Sequence, residues 1–128
     1  MEVNLEVIIN KLEYKVNELT LRNAKLKKLG VIKDRLEATY RCELRKELLR
    51  LSINGTKISI IDDISRGNAN LAQLRLNRDL AKIRYYSMKS SIENIKFEIE
   101  VLRSMLTWLR IELEYSKRGR GKKEPWLN

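Results

Sequence analysis

Between Leu71 and Leu113 the chain sets apolar residues at alternating spacings of three and four: Leu71, Leu74, Ala81, Tyr85, Met88, Ile92, Ile95, Ile99, Leu102, Leu106, Leu109 and Leu113. Arg78 fills the single polar slot. This period, held for about six heptads, is the a/d seam of a long coiled-coil helix, and a strand of period two cannot use it. The spacing predicts a helix over about 69–116, roughly 70 Å long at ~1.5 Å per residue.

The first half carries Leu5, Leu12, Leu19 and Leu26 at every seventh position, with Ile9, Val16 and Asn23 between them. Taken alone this is a parallel zipper pattern. A basic-region zipper, however, has its basic helix ahead of the leucines, and only MEVN precedes Leu5. The flanking Ile8, Glu13, Lys15, Thr20, Arg22 and Lys27 also form no complementary charge set. Beyond Leu26 the apolar residues Leu29, Leu36, Tyr40, Leu44, Leu48 and Leu51 follow another phase, so a helix over about 3–51 with a kink near Gly30 is expected. Two readings stay open for the connection over 52–68. Asn54-Gly55, flanked by Leu51, Ile53, Ile58 and Ile60, reads as a β-hairpin turn. Alternatively, Gly55 ends the first helix, and Ser59 or Asp62 caps the next segment.

Two long helices with a short connection fold back antiparallel. The fold class is therefore all-α, a long antiparallel helical hairpin with a short β-hairpin or loop connection, forming one domain over 1–116. Residues 117–128 are expected to be a flexible basic tail. Setting Leu5 against Leu113 aligns Ile9 with Leu109, Leu12 with Leu106 and Leu19 with Ile99, and leaves Asn23 buried against Ile95. A second apolar stripe runs opposite the seam, with Val7, Tyr14 and Leu21 on the first helix. On the second it comprises Leu76, Leu80 and Ile83, then Phe97, Val101, Trp108, Ile111 and Tyr115. A single hairpin leaves this stripe uncovered. Val7, Tyr14, Leu21, Phe97, Val101, Trp108, Ile111 and Tyr115 are therefore the expected interface of a homo-oligomer, most simply a dimer that forms a multi-helix bundle. The competing arrangement breaks the chain at Gly30 and at 87–91 into a compact monomeric four-helix bundle.

The chain has 27 basic and 17 acidic residues, a net charge of +10. The surplus lies in residues 25–51 and 69–96, which the hairpin places side by side, and in the tail. Such a surplus favours nucleic acid as partner. Candidate phosphate contacts are Lys25, Lys27, Lys28, Lys33, Arg35, Arg41, Arg45, Lys46 and Arg50 on the first helix, and Arg75, Lys82, Arg84 and Lys89 on the second. Lys117, Arg118, Arg120, Lys122 and Lys123 in the tail complete the set. Some are expected to pair with Glu37, Glu43 or Glu47 within the helix. Arg78, inside the seam, is expected to be an ion-pair partner. Arg118-Gly119-Arg120 is similar to the core of the minor-groove arm called an AT hook, without the proline that normally follows. Trp126 is expected to pack on the bundle or dock on a partner.

Catalysis is not expected. The chain lacks histidine, the default general base. The Asp62-Asp63 pair is expected at a helix N-terminus rather than on a metal. Cys42 is expected to act as a small apolar residue. No phosphate-cradling glycine loop, metal site or cofactor site is read from the chain. A single cysteine permits no internal disulfide, and no signal peptide or apolar run of about 20 residues is seen, so a cytoplasmic protein without membrane insertion is expected. The functional expectation is a charge-driven, weakly sequence-specific DNA- or RNA-binding architectural or accessory factor. The alternative is a protein-interaction module such as a scaffold, ribonucleoprotein subunit, inhibitor or chaperone-like clamp. Helix, small hairpin, helix is similar in outline to a prefoldin subunit, by shape alone.

Overall fold

The structure, a computed structural model, describes residues 4–121. Three helices make up almost all of it: α1 (Leu5–Ile53), α2 (Ile58–Arg66) and α3 (Ala69–Gly121). The two long helices pack together and contribute to two compact units, Met1–Arg22 with Ser91–Asn128 (unit 1) and Asn23–Ser90 (unit 2). Asn4 caps α1, its side-chain oxygen accepting the Glu6 N–H at 3.0 Å. Asn68 caps α3, accepting the N–H groups of Asn70 at 2.9 Å and Leu71 at 3.1 Å, and so satisfies donors that have no partner within the helix. α3 runs to Gly121, past the end read from the heptads.

The β-hairpin expected at Asn54-Gly55 is not formed, and among the described residues there is no strand. Gly55 instead closes α1 with φ of 78°, the left-handed conformation that glycine adopts without a steric cost. The Gly55 N–H donates to the Ser52 carbonyl and the Thr56 N–H to the Leu51 carbonyl, both at 3.1 Å. This is a Schellman close of the helix. Asn-Gly serves a hairpin and a helix end equally well; here the helical phase of Leu44, Leu48 and Leu51 leads into it. The following residues form α2, whose cap position is Lys57 and not Ser59 or Asp62. Asp62 lies inside α2 and pairs with Arg66 at 3.1 Å.

α1 passes through Gly30 without interruption of the helix. The reason lies in which residues form the seam. Ile8 is 1% exposed, whereas Ile9 is 38% and Val16 46% exposed. The packed side of α1 in unit 1 is Leu5, Ile8, Leu12, Lys15, Leu19 and Arg22, and Leu26, Leu29, Lys33, Leu36 and Tyr40 continue the same three-four alternation in unit 2. No change of phase exists at Gly30 once Lys15 and Arg22 are admitted to the seam. Their methylene stems lie along the apolar surface while their charged ends reach polar partners. Lys15 pairs with Glu98, and Arg22 donates to the Ser91 hydroxyl while holding Glu18 at 3.0 Å. Both cross-helix contacts fall five residues earlier on α3 than the expected alignment of Leu5 with Leu113. Asn23, expected to face Ile95, is exposed. On α3 of unit 1 the core residues are Ile92, Ile95 and Ile99, as the heptads predict.

In unit 2 the buried apolar residues are Tyr40, Leu51, Leu71 and Ala81. Ser65 of α2 is also buried, its hydroxyl donating to the Asp62 carbonyl at 2.8 Å. Gly30 lies against the Tyr85 ring, and a Cβ built there would meet it at 3.4 Å, an ordinary contact.

Candidate nucleic-acid interface

Unit 2 holds 16 lysines and arginines against 7 aspartates and glutamates, and its cations fall into three groups. The first is paired along its own helix. Arg41 donates to Glu37 at 2.8 Å, Lys46 lies 3.2 Å from Glu43, and Arg50 lies 2.7 Å from Glu47. Lys33 holds Asp34 at 3.0 Å and lies 5.2 Å from the Tyr85 ring centre. The Arg50 hydrogen bond and charge, with a further hydrogen bond from Asn68, keep the Glu47 carboxyl below the ordinary glutamate range despite its desolvation. The same pairing raises Arg50. Hydrogen bonds to Asp34 and Glu43 raise Lys33 and Lys46 respectively.

The second group forms a polar layer around Tyr40. Arg78, with its side chain 19% exposed, has its guanidinium carbon 4.4 Å from the Tyr40 ring centre, and that of Arg75 lies at 5.7 Å. Arg75 also donates to the Tyr40 hydroxyl at 3.2 Å. Arg78 pairs with Asp79 at 3.0 Å, and Arg78 and Lys82 each lie 3.5 Å from Glu37 Oε2. That oxygen is buried and accepts no hydrogen bond, so its compensation is purely coulombic. Desolvation pushes the Glu37 carboxyl up. The Arg41 hydrogen bond and the charges of Lys82, Arg41 and Arg78 outweigh it and hold the group below its ordinary value. Arg78 is the seam ion-pair partner that its heptad position predicts. Tyr40, by contrast, was legible only as an apolar seam residue; its position opposite the one polar slot of α3 was the available signal.

The third group consists of Lys25, Lys27, Lys28, Arg35, Arg45, Lys57, Arg84 and Lys89. Each is exposed, and none has a carboxylate within 4 Å among the described residues. Lys25, Lys28 and Arg35 share one outer stripe of α1. Arg45 lines a groove of about 440 Å³ with Ala38, Arg41, Cys42, Lys46 and Leu49. Cys42 is exposed there rather than packed. Arg84 and Lys89 flank the seam of α3 on opposite sides and are not brought together. Of the tail cations, Lys117 and Arg118 are exposed on α3 in unit 1. Lys122, Lys123 and Trp126 lie outside the described residues, as does the side chain of Arg120.

The expected interface residues Val7, Tyr14, Leu21, Phe97, Val101, Trp108, Ile111 and Tyr115 are all in unit 1 and all exposed. Among the described residues no group of three or more metal-ligating side chains gathers, and no helix is long and apolar enough to cross a membrane. No protein-family model, curated protein or solved structure matches the chain.

Proposed function

We propose that the chain is a non-enzymatic nucleic-acid-binding protein that grips DNA or RNA through the phosphates, mainly by charge and with little base specificity, and that self-associates as an architectural or accessory factor. What supports the reading is the set of eight exposed cations on unit 2 that have no carboxylate partner among the described residues. Cations already bound to carboxylates lose those partners when they take a phosphate, whereas Lys25, Lys28 and Arg35 lose nothing and stand in line along one helix. A strand of phosphates laid on that stripe releases its condensed counterions, which is the main source of such affinity. Contacts to phosphates carry no base information, so sequence preference is expected to be weak. Titrating labelled duplex and single-stranded oligonucleotides with the full chain at low salt tests the reading: saturable binding to at least one is expected, and absence of binding to both refutes it.

A second reading, a module whose target is a protein, is favoured by one observation. Ile58, at the start of α2, is 89% exposed, and Leu49 and Ile53 in the last turns of α1 are exposed as well. Stoichiometric copurification of one protein through Ile58, lost in Ile58→Asp, together with absent oligonucleotide binding, would establish it in place of the first.

A further inference from the structure

We infer that unit 1 pairs face to face with a second copy of itself, through the side on which two seventh-residue stripes lie together: Val7, Tyr14 and Leu21 of α1, and Val101, Trp108 and Tyr115 of α3. The inference rests on the self-association in the proposed function and is independent of the nucleic-acid contact.

Hydrogen bonds show that the stripes share a side. The Tyr14 hydroxyl donates to Glu18 at 3.3 Å, Glu18 accepts from Arg22, and Arg22 crosses to Ser91 of α3. The Tyr14 stripe therefore borders the side of α3 that carries Ser91 and, at intervals of seven, Glu98, Met105 and Glu112. Lys15 reaches Glu98 on this side. Further along it, a groove of about 560 Å³ has buried Ile8 as its floor and Met105, Trp108 and Glu112 on its walls. Tyr14 and Trp108 thus flank one face, and Val101 and Tyr115 extend the Trp108 stripe by seven residues in each direction.

The spacing and charge of the face select the occupant. A surface of two antiparallel helices with seventh-residue apolar stripes is matched by another such surface, and unit 1 is one. Its cations Lys11, Lys15 and Arg22 are equalled by Glu18, Glu98 and Glu112, so a copy approaches without net repulsion. The far edge of α3, at Phe97 and Ile111, is bordered by Glu93 and Glu100, which hold Lys96 and Arg103, and it carries only these two large apolar side chains against the six of the opposite stripes. The six stripe residues are each more than two-fifths exposed. Together they offer roughly 750 Å² of mostly apolar surface, about one partner's share of a standard interface.

Light scattering on the full chain over a concentration series tests the pairing. The wild type is expected at twice the chain mass. Tyr14→Glu on one helix and Trp108→Glu on the other should each fall to the chain mass with helical circular dichroism retained, while Phe97→Glu stays at twice the mass. A wild type at the chain mass throughout, a doubled mass in either stripe variant, or dissociation by Phe97→Glu as well would overturn it. Oligonucleotide binding measured on the same samples separates the two claims: a dimer that binds no nucleic acid sinks the proposed contact and leaves the pairing standing.

Discussion

Unit 1 and unit 2 are built from the same two helices in the same heptad spacing, and they use it differently. In unit 1 the seam is centred on Ile8, Ile92, Ile95 and Ile99, with the stems of Lys15 and Arg22 laid along it, its described charges up to Arg118 balance, and the surplus of apolar side chains lies outside. In unit 2 the seam admits Lys33, Glu37, Arg78 and the ring of Tyr40, cations exceed anions by nine, and eight exposed cations have no carboxylate partner among the described residues. A heptad repeat thus fixes how two helices pack without fixing what their outer faces do. Under the proposed function, the apolar face of unit 1 meets a second copy and the cationic face of unit 2 meets a polyanion.

The largest expected effect lies in the unit 1 core. Ile95→Ala removes a fully packed branched side chain and should cost about 2–5 kcal/mol in denaturant unfolding; a loss below about 1 kcal/mol would mean that this seam is loosely packed. Next is the charge difference between the units. Replacing Lys28, Arg35 and Arg45 together by alanine should weaken oligonucleotide binding by roughly tenfold at moderate salt. The same treatment of Lys11, Arg103 and Arg110 in unit 1 should change it little. Smaller again, Gly30→Ala should stabilise the protein by about 0.5–1 kcal/mol, because an uninterrupted helix gains propensity and the Tyr85 contact tolerates the methyl group. A loss of stability there would mean that the Tyr85 ring does not tolerate the methyl group.

The smallest effect expected is a pH dependence seated in unit 2. The Glu37 and Glu47 carboxyls lie below their ordinary value when folded. Their contribution is complete above the unfolded value of about 4.3 and is lost as the pH falls through the lower folded values. Thermal melts should therefore shift down below about pH 4, and less steeply in Glu47→Gln than in the wild type.

Much of the fold was legible in the sequence because a period of 3.5 is a strong geometric constraint. Every seam residue on α3 from Leu71 to Leu109 is packed as the spacing predicts. The first helix was misread at Ile9, Val16 and Asn23, since apolar Ile9 and Val16 looked better suited to a core than Lys15 and Arg22. Hydropathy alone cannot register that a lysine stem covers a seam while its ammonium finds Glu98. Tracing the phase of Leu29, Leu36 and Tyr40 backward through Gly30 would have found the correct side. Asn54-Gly55 was ambiguous for another reason: the same positive φ closes a hairpin and a helix. Of the candidate interface, the in-helix pairs Arg41 with Glu37, Lys46 with Glu43 and Arg50 with Glu47 followed from spacing. Which cations stay unpaired depended on contacts between helices, such as Lys82 with Glu37, that no local pattern contains.

The most direct test of the charge-driven contact is the salt dependence of duplex oligonucleotide binding, compared between the wild type and the Lys28, Arg35 and Arg45 triple alanine variant. A phosphate track that engages Lys25, Lys28, Arg35 and Arg45 on α1 gives an expected slope of log affinity against log salt of roughly −4 for the wild type, shallower by about 3 in the triple variant. Binding that is insensitive to salt, or a slope that the triple variant leaves unchanged, would contradict a polyanion contact on unit 2.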